Sequence, residues 1–342
     1  MKIYLGVSGG IDSFASALIL KEKGYEVIGV HLIMNGECKE NIPLLEKKLD
    51  IPIIVSDVSN SFKNVVINNF VNTYLEGGTP SPCVVCNNHI KWQSLIEVAD
   101  REGGGMVATG HYCRKIIIDD FFYIQQGVDK IKDQSYYLWG LTQKVLSRAY
   151  FPLGGMTKKD VRLFVKERGY DEEMKRKESM GICFMEGKTV QEYLSSSLNL
   201  SHLNDGNLVD EENNIIGKHL GYPFYTLAQK KLLPIKDGRC VIKIDKDTNT
   251  IVVGNRNKLY TKELTISDFY CCNTKIIYNN LEDIRIKVRG IGENPEGKCN
   301  FSEIKNNRLK ITLESYAWAV TIGQPIVLYF KDIVVGGGVI SL

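Results

Sequence analysis

Short apolar runs alternate with helical stretches through the first third of this 342-residue chain. Each run is short enough to be one strand, and the stretches between the runs have apolar residues at helical spacing. A strand followed by a helix and another strand builds a parallel sheet with helices packed on its faces. The alternation therefore predicts a doubly wound α/β domain, with strands at 3–7, 27–33, 51–55 and 106–109.

The remainder of the chain has a different pattern. Residues 115–125 predict a β-hairpin, and residues 142–178 predict mainly helix. From about residue 204 onward, short strands separated by polar turns dominate, as in 240–254 and 308–315, which is typical of small barrels. Because 342 residues exceed one ordinary core, we expect several domains. The predicted domains are a catalytic α/β domain at 1–198 with a helical insertion at 142–178, a small β-rich central domain at 199–260, and a C-terminal β-barrel domain at 261–342.

Composition narrows the class of protein. The net charge is +3, from 43 Lys and Arg against 40 Asp and Glu, which is too small to indicate a nucleic-acid partner by itself. No apolar stretch is long enough to cross a bilayer and the N-terminus does not resemble a signal peptide, so we expect a cytoplasmic protein with no membrane partner. The nine cysteines show no disulfide spacing, and most are expected to be small buried hydrophobes: Cys38, Cys113, Cys240, Cys271, Cys272 and Cys299.

A glycine-rich loop, GVSGGIDS at residues 6–13, follows the first predicted strand. Glycines allow backbone N–H groups to converge on a phosphate, and the N-terminus of the next helix adds a favourable dipole. The loop lacks the G-K-[ST] of a Walker loop and the G-x-G-x-x-G of a dinucleotide loop. Its pattern S-G-G-x-D-S resembles the pyrophosphate loop of the N-type ATP pyrophosphatases. That resemblance implies that the loop binds the β- and γ-phosphates of ATP and that Asp12 helps to hold Mg²⁺.

Two cysteines lie in a proline-containing stretch, GGTPSPCVVCNNHIKW at 77–92. Asn87 is expected to cap the helix that follows, which would place Cys86 just before a helix N-terminus. The positive end of a helix dipole lowers the pKa of a thiol and makes the thiolate more available. Cys86 is therefore predicted to be reactive, with Cys83 beside it.

A third cysteine, Cys183, lies in KESMGICFM at 177–185. Gly181, ahead of the apolar triplet that contains Cys183, predicts a tight entry into a short strand. The cations immediately upstream would stabilise a thiolate; they are Lys175, Arg176 and Lys177. A lone cysteine in such a triplet is usually part of a core, but two cysteines in electropositive, glycine- or proline-shaped settings more often carry chemistry.

Six stretches occur in the order and spacing found in the bacterial tRNA-specific 2-thiouridylases, a family within the N-type ATP pyrophosphatases. They are GVSGGIDS, GGTPSPCVVCNNHIKW, ATGHY, KDQSYYL, FPLG and GICF. The resemblance is strong over residues 1–230 and continues in IGQPIVLYFKDIVVGGGVI at 322–340. It implies an enzyme that replaces O2 of the wobble uridine of tRNA with sulfur.

The resemblance also implies roles for individual residues. ATP would adenylate the uracil O2. Cys183 would carry a persulfide loaded by a sulfur-donor protein, and Cys86 would assist sulfur release and end in a disulfide with Cys183. The ATP site would comprise Gly6, Val7, Ser8, Gly9, Gly10, Ile11, Asp12, Ser13, Leu32 and Gly110. The target base would lie against Ser81, Pro82 and Cys83, and tRNA against His111, Lys132, Asp133, Gln134, Arg289 and Gln324.

The basic residues of 142–178 have two interpretations. This segment carries ten Lys and Arg against six Asp and Glu. A helical face with that charge is solvated in many proteins, and the residues alone leave this interpretation open. The resemblance favours a tRNA surface, because tRNA is recognised largely through its shape and backbone.

Two departures from the family pattern bear on the chemistry. Relatives commonly have Asp where this chain has Cys83. With Cys86 and Cys183, that makes three thiols, which could hold a [4Fe–4S] cluster with one open iron position, while C-x-x-C suits a redox pair equally well. In addition, the usual Gln-Arg-Lys-Gly stretch reads Gln-Lys-Lys-Leu at 229–232, without its glycine.

Two other functions stay open on the residues alone. A pyrophosphatase that acts on a small carboxylate or amide would need no persulfide and no pair of cysteines. A tRNA-binding or sulfur-carrier protein that had lost catalysis would have a broken phosphate loop, whereas the whole S-G-G-x-D-S pattern is present here.

Overall fold

The computed structural model describes residues 1–38, 40–175, 181–197, 205–290, 292–302 and 305–341, without the side chains of residues 174 and 175. Its N-terminal part contains a five-stranded sheet in the order β3-β2-β1-β4-β7, with every pair parallel. The doubly wound sheet predicted from the sequence is confirmed. Its strands are β1 (Lys2–Gly6), β2 (Glu26–Ile33), β3 (Ile53–Asp57), β4 (Met106–Ala108) and β7 (Ala149–Tyr150).

Helices connect these strands and cover both faces of the sheet. Along the described chain they are α1 (Ile11–Glu22), α2 (Ile42–Leu49), α3 (Ser59–Phe62), α4 (Asn68–Leu75), α5 (Pro82–Cys86), α6 (Trp92–Arg101), α7 (Gln143–Arg148), α8 (Lys158–Glu167), α9 (Asp171–Lys175) and α10 (Val190–Ser197). Two of the helices are continued by π-helical turns. The turn Lys63–Ile67 joins α3 to α4, and Asn87–Lys91 joins α5 to α6.

The side chains of β1 alternate between two apolar layers. Ile3 and Leu5 pack in the cluster that contains Phe14 of α1, whereas Tyr4 packs with Trp92 of α6 on the opposite face. The strand order reverses at β1, since the chain passes first to β2 and later returns to β4 on the other side. In open α/β sheets, ligands bind at the carboxyl ends of the strands where this reversal occurs.

A hairpin links the N-terminal part to the end of the chain. Strands β5 (Cys113–Ile118) and β6 (Phe121–Gln126) form the hairpin predicted for 115–125, with Asp119 and Asp120 at positive φ in its turn. Strand β6 also pairs with β17 (Ile333–Ile340) in the C-terminal sheet. The N-terminal and C-terminal parts therefore share one sheet, which the hairpin pattern alone did not indicate.

The segment predicted to be mainly helical, 142–178, forms α7, α8 and α9 over its described residues 142–175, and it also contains β7. Residues 176–178 lie outside the described residues. The two-residue strand β7 pairs with β4 at the edge of the parallel sheet. Helix α8 packs on α1, and its apolar residues Val161 and Val165 are buried in the α1 cluster. The segment is thus built into the α/β domain rather than separate from it.

The rest of the described chain is dominated by strands, as predicted. The central sheet has the order β10-β11-β8-β9, and the C-terminal sheet places β13, β16, β17, β12, β15 and β14 side by side, with α11 (Thr274–Tyr278) between β12 and β13. Their bounds are β8 (Gly206–Val209), β9 (Ile215–His219), β10 (Cys240–Asp245), β11 (Thr250–Gly254), β12 (Tyr260–Tyr270), β13 (Ile284–Lys287), β14 (Cys299–Phe301), β15 (Leu309–Trp318) and β16 (Pro325–Phe330). Among the described residues, no helix is both long and apolar enough to span a membrane.

Candidate active site

The glycine-rich loop forms a tight turn between β1 and α1, at the carboxyl edge of the sheet. Gly9 has a φ of +74°, a left-handed conformation that glycine adopts without strain, and Gly10 is the extended N-cap residue of α1. Ser13 Oγ donates to the Gly10 carbonyl at 2.9 Å and accepts from the Ser8 N–H at 3.3 Å. The turn gathers two hydroxyls at a helix N-terminus, an arrangement that favours an anion.

Asp12, in the first turn of α1, is held by side chains from two other elements. Lys158 Nζ donates to its two carboxylate oxygens at 2.8 and 2.9 Å, and the Tyr112 hydroxyl donates to Oδ1 at 2.6 Å. Lys158 is only 9% exposed, so its charge is directed into the protein. No local pattern indicated this ion pair, because its two members are 146 positions apart along the chain.

A cavity of about 520 Å³ opens beside the glycine-rich loop, at the point where the strand order reverses. Most residues of the predicted ATP site line it: Gly6, Val7, Ser8, Asp12, Ser13, Leu32 and Gly110. Of the other three, Gly9 and Gly10 form the turn itself, and Ile11 is buried in the apolar layer under α1. A Cβ at position 110 would lie 3.0 Å from the Asp12 carbonyl carbon, so glycine allows the chain after β4 to approach α1.

Acidic side chains also line this cavity. Glu37, Glu40 and Glu186 all contribute to its wall. The carboxylate of Glu40 lies directly against Gly9 of the glycine-rich loop. A carboxylate at this position is a negative group where the loop favours an anion.

The predicted setting of Cys86 is wrong. Asn87 is not a helix cap, because α5, the π-helical turn and α6 form one continuous helix that begins at Pro82. Cys86 lies inside that helix and is 7% exposed. Burial raises its pKa to about 11, although the positive charge of Lys91 acts in the opposite direction. The thiol is therefore protonated at neutral pH, whereas the sequence had predicted a lowered pKa.

The predicted strand at Cys183 is also wrong, since Cys183–Met185 forms a single 3₁₀ turn. Gly181 has a φ of +114°, so the tight approach to this turn is as predicted. The next side chain, Phe184, fixes the turn: its ring contacts Phe70 and Tyr193 edge to face, each at a centroid distance of 5.2 Å. Cys183 itself is exposed and lines the same cavity as the glycine-rich loop.

Lys91 is the cation that faces the thiols, and the sequence interpretation missed it. Its charge lowers the pKa of Cys83, Cys86 and Cys183, although desolvation by the surrounding protein is the larger effect and raises all three. The upstream cations that the sequence favoured for this role cannot be compared, because residues 176 and 177 and the side chain of Lys175 lie outside the described residues. The sequence did contain a clue to this role, since Lys91 belongs to the same motif, 77–92, as Cys83 and Cys86.

The three thiols are electrostatic neighbours but do not form a metal site. The charge of Cys183 raises the pKa of Cys83 and of Cys86, the charge of Cys83 raises that of Cys86, and all three thiols are free. Within the described part of the chain, which contains all three cysteines, no three His, Cys, Asp or Glu side chains are arranged to hold a metal ion. The donor set for an iron–sulfur cluster is therefore not assembled in this conformation.

The predicted target-base and tRNA residues fall in several places. Ser81 and Pro82 lead into α5, and Cys83 is exposed on its first turn. His111 and Gln134 line the first cavity. His111 is buried with its Nδ1 2.6 Å from the Thr109 hydroxyl, and burial, assisted by the charge of Lys91, holds its pKa well below the usual value.

Lys132 and Asp133 lie in the turn before Gln134. Lys132 is half-buried, and the Asp133 side chain is only 4% exposed. Its carboxylate accepts from the backbone N–H of Gly127 at 3.0 Å and from the Ser135 hydroxyl at 2.7 Å. These hydrogen bonds hold the turn together, so the geometry of Asp133 favours a structural role over a direct contact with tRNA.

Arg289 and Gln324 meet at a second cavity of about 680 Å³, between the N-terminal, central and C-terminal parts. The Arg289 guanidinium donates to the Ala319 carbonyl at 3.1 Å and lies 5.3 Å from the Trp318 ring centroid. Among the described residues, Arg289 Nε and Gln324 Oε1 are buried without a hydrogen-bond partner. Leu232 lines the same cavity with a φ of +70°, a backbone conformation that glycine favours.

Within the described side chains of 142–173, the basic residues do not all face solvent. Arg148 pairs with Asp100, and Arg168 pairs with Glu22. With Lys158 directed toward Asp12, three of the cations in this segment have partners within the protein. The side chains exposed to solvent include Lys144, Lys159 and Lys166.

Three family profiles match consecutive parts of the chain. They are the tRNA methyl transferase HUP domain at 1–187, the tRNA methyl transferase PRC-barrel domain at 191–255, and the aminomethyltransferase β-barrel domain at 261–340. Together they describe a parallel-sheet domain followed by two small β domains, which is the architecture observed.

Relatives that match this chain over nearly its full length are named as one kind of enzyme. The tRNA-specific 2-thiouridylase MnmA 2 of Phocaeicola vulgatus is 35% identical over 99% of this chain and 97% of its own length. The tRNA-specific 2-thiouridylase MnmA of Clostridium perfringens is 36% identical over 99% and 98%, and MnmA 1 of Bacteroides fragilis is 34% identical over 100% and 97%. A solved structure described as a predicted subunit of tRNA methyltransferase, from Methanocaldococcus jannaschii, is 18% identical over 51% of this chain and 84% of its own, with a TM-score of 0.34.

Proposed function

This chain belongs to the family of tRNA-specific 2-thiouridylases, and we propose that it catalyses ATP-dependent 2-thiolation of the wobble uridine of tRNA. One observation carries the proposal beyond the family name. The cavity that contains Ser8, Asp12 and Ser13 of the phosphate loop is also lined by Cys183. A nucleotide and a sulfur carrier can therefore act on the same base in one cavity.

The first step activates the base. The uracil O2 attacks the α-phosphorus of ATP, the bond to the β-phosphate breaks, pyrophosphate leaves and the N3 proton is lost. The phosphate loop would hold the β- and γ-phosphates through its backbone N–H groups and the N-terminus of α1. Leu32 and Gly110 would border the nucleoside, since both line the cavity.

Magnesium fits the oxygen donors of this loop. Mg²⁺ is usually held by one or two carboxylates together with the phosphates of its substrate, and it neutralises charge on the leaving pyrophosphate. Asp12 would supply the carboxylate, because it lines the cavity with two serine hydroxyls. The contacts from Lys158 and Tyr112 fix the orientation of that carboxylate.

The next steps transfer sulfur. The terminal sulfur of a Cys183 persulfide, as an anion, adds to C2 of the uracil, and AMP leaves with the electron pair of the C2–O2 bond. The Cys86 thiolate then attacks Cys183 Sγ, and the S–S bond breaks toward the sulfur on C2. The products are 2-thiouridine, which regains its N3 proton, and a Cys86–Cys183 disulfide that a thiol reductant reopens.

The burial of the two cysteines supports this division of roles. Cys183 is exposed, which suits loading by a persulfide-carrying donor protein, whereas Cys86 is 7% exposed. Phe184, which holds the Cys183 turn, belongs to the same apolar cluster as Cys86. A buried second thiol beside the carrier would be protected from the donor and from oxidants until the sulfur has been delivered.

The tRNA contacts are part of the same proposal. Arg289 and Gln324 have buried polar atoms without partners among the described residues, and Lys230 and Lys231 add positive charge to the same cavity. A nucleic acid supplies both the acceptors and the negative charge that such a cavity lacks. We place Lys132, His111 and Gln134 nearer to the reacting base and assign Asp133 to positioning their turn.

The test is an anaerobic incubation with ATP, Mg²⁺, a persulfide donor and unmodified tRNA, followed by mass spectrometry of the nucleosides. We expect 2-thiouridine with the wild type and with Cys38→Ala, a matched control for an exposed cysteine outside the motifs. Cys183→Ala and Cys86→Ala should each reduce the product at least a hundredfold. Absence of thiolated base with wild-type protein would refute the proposal and favour a pyrophosphatase for small molecules.

A further inference from the structure

Lys91 lies where the thiols and the nucleotide cavity meet. It is the last residue of the π-helical turn that follows Cys86, on the same continuous helix as Cys83. Its side chain lines the cavity together with Ser13, His111 and Cys183. One lysine therefore reaches the cavity from the helix that carries two of the three cysteines.

The ammonium group of Lys91 has no fixed anionic partner in the described part of the chain. Neither an ion pair nor a side-chain hydrogen bond of Lys91 is present there. The other cation at this site, Lys158, is already paired with Asp12. A half-buried cation without a partner is costly, so its position favours an anion that forms only during the reaction.

The groups that face Lys91 identify that anion. The charge of Lys91 acts on Cys83 and Cys86 of its own helix, and on Cys183 and His111, which line the same cavity as Lys91. Four acids also line this cavity: Asp12, Glu37, Glu40 and Glu186. His111 is neutral, and Asp12 is occupied by Lys158. The three sulfur atoms are therefore the groups near Lys91 whose charge changes during sulfur transfer.

We propose that Lys91 is a positioning residue for sulfur transfer, whose ammonium stabilises the sulfur anion on Cys183 and afterwards the thiolate of Cys86. This inference rests on the proposed thiolation. In the first step the cation holds the terminal persulfide sulfur as an anion in the cavity beside the adenylated base. In the second step it lowers the cost of ionising a buried thiol, so that Cys86 can attack Cys183 Sγ.

The π-helical turn explains why this lysine can do both. A π-turn inserts one extra residue into a helix and shifts the faces of the residues that follow it. Here the turn lies between Cys86 and Trp92, so it changes the direction of Lys91 relative to the cysteines. The backbone of Lys91 and its positive charge both oppose the rise in the pKa of Cys86 that burial causes.

The first experiment needs neither ATP nor tRNA. Iodoacetamide is added to the fully reduced, full-length protein between pH 7 and 9.5, and mass spectrometry of peptides gives the alkylation rate of each cysteine. Lys91→Met should slow the alkylation of Cys183 by roughly three- to tenfold at pH 7.5, because a lost positive neighbour raises the pKa of a thiol. Lys91→Arg should restore the rate, and Lys63→Met, which removes an exposed lysine from the other π-helical turn, should leave it unchanged.

The second experiment distinguishes an effect of Lys91 on sulfur transfer from an effect on the adenylation step. In single turnovers with ATP, tRNA and persulfide-loaded protein, pyrophosphate release and 2-thiouridine are measured on the same samples. For Lys91→Met we expect pyrophosphate release within twofold of the wild type and 2-thiouridine reduced at least tenfold, with recovery in Lys91→Arg. An equal fall in both would overturn the proposal, since Lys91 would then serve the phosphates, and so would unchanged alkylation of Cys183. If the wild type made no 2-thiouridine, the proposed function would fail, but the alkylation rates would still decide the role of Lys91.

Discussion

The buried thiol of Cys86 gives a sharp quantitative prediction. Its pKa is raised from the ordinary 9.0 to about 11 by burial. At pH 8 an ordinary thiol is about 9% ionised and one with a pKa near 11 about 0.1%, so alkylation of Cys86 should be roughly a hundredfold slower than for an ordinary thiol. Iodoacetamide labelling of the reduced protein, with peptides quantified by mass spectrometry, measures this rate. Exposed Cys38 is the internal control.

The pH dependence of labelling distinguishes ionisation from simple shielding. Because the thiolate is the reactive form, the Cys86 rate should rise about tenfold for each pH unit between 8 and 10. A rate equal to that of Cys38 at pH 8, or a slow rate that does not change with pH, would refute the reasoning. The first result would mean that Cys86 is accessible and ionised, and the second that access alone limits the reaction.

The same pKa predicts a loss of stability in alkali. The unfolded chain ionises Cys86 near pH 9.0 and the folded chain near 11, so the contribution is complete below pH 9 and is lost as the pH rises through this interval. Between pH 8 and 10 the loss is about 1.3 kcal/mol in the free energy of unfolding. Urea unfolding at both pH values should show the wild type losing this much more than Cys86→Ala. Equal losses in the two proteins would contradict the raised pKa.

Three further predictions concern the cavity and its neighbours. Lys158→Met removes the partner of Asp12 and should destabilise the protein by about 2 kcal/mol in thermal unfolding, while Lys159→Met, at the exposed neighbouring position, should change little. Gly110→Ala places a Cβ 3.0 Å from the Asp12 backbone, so the KM for ATP should rise at least fivefold in pyrophosphate-release assays. Gly155→Ala is the control, because a Cβ there meets nothing within 4 Å, and it should behave like the wild type. Cys83→Ala should retain 2-thiouridine formation and anaerobic reconstitution should give no stoichiometric iron; loss of product together with bound iron in the wild type would support the cluster alternative instead.

Local patterns predicted the elements of this fold well but not the contacts between them. The hairpin at 115–125 was predictable because two apolar runs flank a polar turn, yet its pairing with β17 depends on residues some two hundred positions away. The glycine-rich turn before α1 was predictable because its residues are consecutive. The contacts that complete it, from Tyr112 and Lys158, come from distant parts of the chain and leave no local signal.

The cysteines illustrate where local reasoning fails. Asn87 after Cys86 has the composition of a helix cap, and a cap would have lowered the thiol pKa. The helix instead begins at Pro82, a residue favoured in a first helical turn, and so Cys86 becomes an interior, buried position. Lys91 lies on this same continuous helix. The positive charge near Cys86 therefore comes from the Lys91 side chain and not from a helix N-terminus.

On the proposed mechanism, the opposite exposures of Cys86 and Cys183 would give sulfur transfer an order. A donor can reach exposed Cys183, but the buried Cys86 cannot compete for the donor's sulfur or be oxidised first. Cys86 becomes useful only when it ionises, and its raised pKa makes that ionisation costly until a base and an electrophilic Cys183 sulfur are in place. Lys91 reduces this cost without removing it, since its charge opposes desolvation but does not outweigh it. On the proposed mechanism, burial sets the resting state and the lysine makes the second step possible, so a thiol that is inert alone can still act as the second nucleophile.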